Sequence, residues 1–283
     1  MRLLVTGGGG MLGRAVAATA TQLGHDVVSL PRAELDITDA AAVARTVAAV
    51  APAAVVNCAA FTDVDGAETN EAAALRVNAE GAGNVARAAA DAGARVVQVS
   101  TDYVFDGSKR EPWVESDPVA PLQAYGRTKL AGEDAVAAAN RDHATVRAAW
   151  LFGAGGPNFA DTMLRLCAER DEVEVVADQC GHPTWTGHLA PALVELAERS
   201  GDVGLFHAGG EGGCTWYEFA VEIAHGAGLP ARIVPTTSAR FARPAARPAY
   251  SVLGTERDPG VVLPPWQDGL AAYLEDRAGR IAA

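Results

Sequence analysis

Thr6-Gly7-Gly8-Gly9-Gly10-Met11-Leu12-Gly13 is the stretch that decides the fold. It follows a short apolar run at residues 2–5 and opens into helical patterning over 11–23. Gly7, Gly10 and Gly13 keep a G-x-x-G-x-x-G spacing. In a strand–loop–helix context each glycine has a task. Gly7 permits the tight turn, Gly10 lets backbone approach a pyrophosphate, and Gly13 lets helix pack close on strand. The unpaired N–H groups of the helix N-terminus then face the anion. Glycines alone also describe a flexible turn, but the flanking strand and helix point to dinucleotide binding. The expected contacts are Gly7, Gly10, Met11 and Leu12.

Outward from this loop, strand and helix alternate. Residues 26–30, 53–57, 95–100 and 144–148 are apolar runs of strand length. Residues 39–50, 64–92 (broken near Asn70) and 122–139 pattern as helices. Near-continuous apolar strands between helices imply a parallel sheet covered on both faces. The expected fold class is α/β: a Rossmann-type doubly wound parallel sheet over residues 1–150. A smaller mixed α/β C-terminal substrate domain is expected over 151–283, with segment exchange between the two. In that second part, helices are expected at 159–169, 187–199, 215–227 and 266–282, strands at 173–176 and 204–207. Residues 235–248 read as a loop rich in Pro and Arg.

The 283 residues carry 23 Lys+Arg against 35 Asp+Glu, a formal charge of −12. A chain this acidic repels phosphate backbones and anionic bilayers, which excludes a general nucleic-acid or membrane-surface binder. No apolar run has transmembrane length, and the N-terminal run is too short for a signal peptide, so a cytoplasmic protein is expected. Cys58, Cys167, Cys180 and Cys214 are scattered, as reduced thiols would be. The histidines, His182 and His188 among them, form no zinc-ligand spacing, so no metal is expected.

Tyr125-Gly126-Arg127-Thr128-Lys129 puts Tyr and Lys at i and i+4 of a helix, on one face. A phenol with pKa near 10 moves protons poorly at neutral pH, and an ammonium one turn away is expected to lower it. Ser100-Thr101 ends the preceding strand, at the sheet edge where open α/β folds bind ligands, and Thr101 can hydrogen-bond a carbonyl oxygen. The catalytic candidates are Thr101, Tyr125 and Lys129. The second strand ends Ser29-Leu30-Pro31-Arg32 with no acid for an adenosine 2′-hydroxyl. Arg32 there suits a 2′-phosphate, favouring NADPH over NADH.

Further segments carry a resemblance. They include Asn57-Cys58-Ala59-Ala60, Leu35-Asp36-Ile37-Thr38-Asp39, Ser100-Thr101-Asp102-Tyr103-Val104-Phe105-Asp106-Gly107 and Tyr125-Gly126-Arg127-Thr128-Lys129-Leu130-Ala131-Gly132-Glu133. Later come Asn158-Phe159, Asp178-Gln179, Pro183-Thr184, Trp216-Tyr217-Glu218-Phe219-Ala220 and Arg247-Pro248. With the glycine loop they resemble the extended short-chain dehydrogenase/reductase superfamily and, along nearly the whole chain, its dTDP-4-dehydrorhamnose reductase family. The resemblance implies hydride transfer from NADPH to the C4 ketone of a dTDP-4-dehydro-6-deoxy-sugar. Tyr125 would protonate the developing alkoxide, Thr101 would bind the carbonyl oxygen, and Lys129 would tune Tyr125 and hold the nicotinamide ribose. Asp36 and Ile37 would lie by the adenine, Ala59 and Ala60 along the cofactor, and Asn78 would line its site. Asp102, Tyr103, Trp150 and Arg247 would face the substrate; Asp102 and Tyr103 alternatively only support the strand end. A homodimer is the family's suggestion. Some members bind Mg²⁺ at a dimer interface, and no matching acidic positions are found here.

Two other readings stay open. A related 4-ketoreductase or epimerase shares the Tyr/Lys pair. A dehydratase would need a Glu where Tyr103 stands. A non-catalytic regulator, like the regulatory subunit of methionine adenosyltransferase, shares the fold.

One segment departs from the overall charge. Residues 231–254 hold Arg232, Arg240, Arg243 and Arg247 with no lysine and no acid, a local +4. A diphosphate would suit that field, because arginine binds phosphate oxygens in a bidentate way. The alternative is a solvated basic loop for Arg240 and Arg243, and loop anchoring for Arg247.

Overall fold

A computed structural model describes residues 1–199, 201–209 and 211–282. The first half runs β1 (Arg2–Thr6), α1 (Met11–Gln22), β2 (Asp26–Leu30), α2 (Ala40–Val50) and β3 (Ala54–Asn57). Then come α3 (Val64–Thr69), α4 (Glu71–Leu75), a π-helical stretch Arg76–Gly81, α5 (Ala82–Asp91), β4 (Arg95–Thr101), α6 (Ala124–Ala139) and β5 (His143–Ala148). The second half runs β6 (Leu151–Phe152), α7 (Phe159–Glu169), β7 (Glu172–Val176), β8 (Cys180–Gly181), β9 (Thr184–Trp185) and α8 (Thr186–Glu198). It continues with β10 (Gly204–Ala208), β11 (Cys214–Thr215), α9 (Trp216–Gly226), β12 (Arg232–Thr236) and α10 (Trp266–Ala282).

Six parallel strands form the central sheet in the order β10-β5-β4-β3-β1-β2. Alternate side chains of each strand feed opposite layers, so the strands read as apolar runs. Leu3, Val5, Val56 and Val97 pack on α1 and α8 through Leu12, Val16, Leu189 and Leu193. Leu4, Val55 and Val96 pack on α2, α5 and α6 through Val43, Val47, Val85 and Val136. Asp39 caps α2 by accepting the Ala42 N–H at 2.9 Å. The chain moves from β1 outward to β2, then returns to the other side of β1 as β3. That reversal opens a crevice at the carboxyl ends of β1 and β3, where ligands of open α/β sheets bind.

The second half contributes to both lobes. α8 and β10 return to the central sheet, β10 pairing with β5 and α8 packing beside α1. The remainder surrounds its own core of Phe152, Met163, Phe219, Ile223, Trp266 and Tyr273. A capping box between Thr215 and Glu218 starts α9. The Pro- and Arg-rich segment is more ordered than its composition suggests. β12 runs through Pro235 and pairs in parallel with β7, and Ser238–Phe241 follows as a 3-10 turn. A two-stranded ribbon has two edges, so proline's missing N–H costs little there. Among the described residues no helix is long and apolar enough to cross a membrane.

Candidate active site

The crevice is a cavity of about 830 Å³ at the carboxyl edge of the sheet. Its glycine wall is built from backbone. Gly7 sits at φ +68, and a side chain there would run into the backbone of Cys58 and Ala59 after β3. A side chain at Gly13 would strike the Gly7 carbonyl. Gly10 N donates to Gly7 O at 3.0 Å and closes the turn. Gly10 is also the N-cap of α1, with no side-chain cap and no acid in the first turn. The helix therefore presents free N–H groups to the cavity, as a pyrophosphate requires. Gly7, Gly10, Met11 and Leu12 all line it. On these observations the residues fit a dinucleotide.

At one end the cavity is lined by Arg32, Asp36 and Ile37, and further along by Ala59 and Ala60. Arg32 lies 3.6 Å from Asp36 and is 80% exposed. Hydrogen bonds from Thr38 hold the Asp36 carboxyl below its usual pKa. Behind this wall Thr6 Oγ1 donates to Asn57 Oδ1 (2.5 Å), and Asn57 Nδ2 donates to Gln98 Oε1 (2.6 Å), tying the ends of β1, β3 and β4.

At the opposite end Thr101, Asp102, Tyr103, Tyr125, Lys129 and Trp150 line one pocket. Several bonds place α6 there. Glu68 accepts the Ala124 N–H at 2.7 Å, capping α6 from α3. Glu133 pairs with Arg147 on β5 (2.7 and 2.9 Å) and accepts from Ser100 on β4 (2.5 Å). This buried ion pair locks the helix carrying Tyr125 and Lys129 against the strand carrying Thr101. The Tyr125 and Tyr103 rings meet edge to face at 6.1 Å.

The electrostatics differ from the expectation for Tyr125. Burial pushes its phenol up to about 12, with the Asp102 charge adding and the Thr101 hydroxyl opposing. Burial pulls Lys129 down to about 8, opposed mainly by Glu133. Lys129 Nζ donates to Val99 O at 2.6 Å. Desolvation outweighs the helix-turn pairing, because the ammonium is engaged by a carbonyl of β4.

Asn78 and Arg247 are not among the residues that line the cavity. Asn78 is 1% exposed and fully occupied: it accepts the Phe61 N–H (2.8 Å) and donates to Phe61 O and the Thr128 hydroxyl. It holds the Phe61 wall from behind and does not face the cavity. Arg247 makes a fork with Asp65 on α3 (2.7 and 2.9 Å) and hydrogen-bonds Tyr103. It anchors a loop and buttresses a cavity residue. The other arginines of the basic segment are also answered. Arg232 pairs with Glu172, Arg240 with Glu174 (3.1 Å), and Arg243 with Asp65 (3.4 Å). The local +4 is thus largely neutralised within the fold.

Trp216 is a cavity residue that the sequence reading left out. It stacks on Trp150 with centroids 3.5 Å apart and an interplanar angle of 8°. Trp150 sits at φ +47, an uncommon region for a bulky residue. The one signal at sequence level was an aromatic directly after the Thr215 cap. Phe61, Val77 and the Gly155–Pro157 turn also line the cavity; nothing in their sequence spacing marks them.

The family model described as RmlD substrate binding domain matches residues 1–278. A dTDP-4-dehydrorhamnose reductase from Streptomyces griseus is 47% identical, covering 99% of this chain and 96% of the relative. A probable dTDP-4,6-dihydroxy-2-methyloxan-3-one 4-ketoreductase from Streptomyces antibioticus is 44% identical, over 97% of this chain and 94% of its own length. A crystal structure of dTDP-4-dehydrorhamnose reductase from Bacillus anthracis in complex with NADP superposes with a TM-score of 0.94. It is 36% identical, over 97% of this chain and 99% of that one.

Proposed function

The chain belongs to the RmlD substrate-binding-domain family, and from that premise we propose that it reduces the C4 ketone of a dTDP-4-dehydro-6-deoxy-sugar with NADPH, most simply dTDP-4-dehydro-L-rhamnose to dTDP-L-rhamnose. The observation that carries this reading is one continuous cavity. It joins a backbone anion cradle to a pocket holding Thr101, Tyr125 and Lys129.

Gly7, Gly10, Met11, Leu12, Arg32, Asp36, Ile37, Ala59 and Ala60 would hold NADPH, which would supply the hydride. The chain's own groups handle the oxygen. The Thr101 hydroxyl binds the ketone oxygen, and Tyr125 gives it a proton as charge develops. A phenol near 12 stays fully protonated at neutral pH. It remains acidic enough for the task, because an alkoxide conjugate to a hydroxyl of pKa about 16 is far more basic than a phenolate. Lys129, near 8, is still roughly nine-tenths charged at pH 7 and offers positive field at the base of the pocket. The stacked Trp150 and Trp216 give the sugar an apolar wall. The substrate lies between this wall and Tyr103.

The test is loss of NADPH absorbance with enzymatically generated dTDP-4-keto sugars, with product analysis across a panel of 4-keto epimers. The panel matters because a relative named for a different 4-ketone is 44% identical. Tyr125→Phe should lower kcat by about 10² to 10⁴ with NADPH affinity retained. NADPH binding without turnover on any 4-keto sugar nucleotide would favour a regulatory role.

A further inference from the structure

The mechanism leaves one buried acid without a task. Asp102 follows Thr101 at the end of β4, lines the cavity and is 2% exposed. Thr101 Oγ1 lies 3.1 Å from Asp102 Oδ1. The Tyr103 N–H fixes the same hydroxyl at 3.2 Å, beside the Tyr125 phenol whose charged form it favours. On the far side the buried Ser251 hydroxyl adds a contact to the carboxyl, while Asp102 Oδ2 lacks a hydrogen bond of normal geometry. The oxygens of Tyr125, Thr101 and Asp102 therefore stand side by side at the reacting end of the cavity.

Resting on the reductase reading, we propose that Asp102 is the proton store that recharges Tyr125 through Thr101. When Tyr125 gives its proton to the new alcohol, the phenolate takes the Thr101 hydroxyl proton. Thr101 takes the Asp102 carboxyl proton in the same motion. Asp102 is left as carboxylate and regains a proton from water once product leaves. Each turnover thus consumes one hydride from NADPH and one proton from solvent, and Thr101 and Tyr125 end as they began.

The surroundings suit the role. Among the described residues Asp102 has no cationic partner: burial dominates and pushes it up to about 7, opposed only by hydroxyl and backbone contacts. The groups facing it are few. Thr101 and Tyr103 come from its own segment, and Tyr125 from α6. Ser251 comes from the C-terminal loop. Arg247 is one residue removed, bonded to Tyr103 and committed to Asp65. The alternative source near Tyr125 is Lys129, and its Nζ is held by Val99 O. Asp102 acts through Thr101, and so it positions and supplies a proton without touching substrate in this scheme.

The experiment has two arms on the full chain. In the first, ¹³C-carboxyl NMR follows Asp102 without substrate, its signal assigned by its absence from Asp102→Asn. A midpoint near 7 is expected; a midpoint below about 5, in the ordinary carboxylate range, overturns the proposal. In the second, kcat is measured against pH. The proton donor must be protonated, so wild-type kcat should fall as pH rises through about 7, with Lys129 adding a second fall near 8. Asp102→Asn should lower kcat on the order of 10- to 100-fold and lose the first limb, with NADPH affinity and substrate KM within about twofold. A pH profile parallel to wild type in the variant would assign Asp102 a purely structural role and overturn the proposal. If wild type turns over no 4-keto sugar while Asp102 still titrates near 7, the reductase reading fails and the relay with it. Should Asp102→Asn fail to fold, Asp102→Ser supplies both the signal assignment and the comparison of pH profiles.

Discussion

The glycine loop and the arginine segment are both anion-binding signals in the sequence, and the fold treats them oppositely. The loop at residues 6–13 keeps its donors free. Its work is done by backbone N–H groups at the start of α1, where no side chain caps and no acid intrudes. The segment at 231–254 spends its charge internally, on Glu172, Glu174 and Asp65. Backbone donors are fixed by local geometry, so a few adjacent residues specify them. Guanidinium charge is uncommitted until tertiary contacts form, and Asp65 lies 182 residues from Arg247 in sequence. Local composition therefore predicts the first kind of site far better than the second.

The widest break in this comparison would come from the loop. Gly7→Val places a β-branched side chain at φ +68 and against the Ala59 backbone. The left-handed conformation alone costs about 1–2 kcal/mol, and relief requires the loop to move. NADPH affinity, measured by fluorescence titration, should fall at least about 100-fold. Affinity within threefold of wild type would mean that the cradle does not hold the pyrophosphate.

A smaller effect, of a different kind, is expected at the other region. Arg247→Ala should cost about 2 kcal/mol of unfolding free energy, since it removes a charged fork and strands the half-buried Asp65, and should leave NADPH affinity unchanged. Lost substrate affinity at full stability would instead return Arg247 to the ligand. The pH dependence sharpens this. The Arg247 hydrogen bond, with the Ala245 N–H and both arginine charges, holds Asp65 down at about 2. Its folded pKa lies below its unfolded value. Its contribution is therefore complete above about 4 and lost as pH falls toward 2. Wild type should lose its stability advantage over Asp65→Asn within that window, as read by denaturant unfolding at stepped pH.

The same contrast explains what was legible. The strands and helices of residues 1–150 follow from apolar runs and the Asp39 cap, because each is a local pattern. Thr101, Tyr125 and Lys129 were found through a strand end and a helical spacing, and they do share one pocket. β12 was missed because Pro235 and its neighbours read as loop, while its pairing to β7 is a contact 60 residues away. The family resemblance implies that Asn78 lines the cofactor site, whereas Val77 lines the cavity and Asn78 is not among its lining residues. The π-helical turn spanning Arg76–Gly81 sets the register that buries Asn78 against Phe61. The upward shift of Tyr125 was invisible, because desolvation is a property of the assembled pocket and not of an i, i+4 spacing.

The smallest effect should be at Arg240, and it separates charge from function most cleanly. Arg240 reaches Glu174 at 3.1 Å across the β7–β12 ribbon, with 65% of its side chain exposed. An exposed pair of this kind contributes less than about 1 kcal/mol, because water screens it and two long side chains lose freedom. Arg240→Ala should therefore change unfolding free energy by no more than about 0.5 kcal/mol. It should also leave substrate KM within about twofold, because the guanidinium it removes is already turned toward a carboxylate of its own fold. A KM raised tenfold, with the fall in affinity weakening as salt is added, would show that Glu174 releases Arg240 to a substrate diphosphate. The two regions would then differ in when their donors become free, and no longer in whether they bind anions.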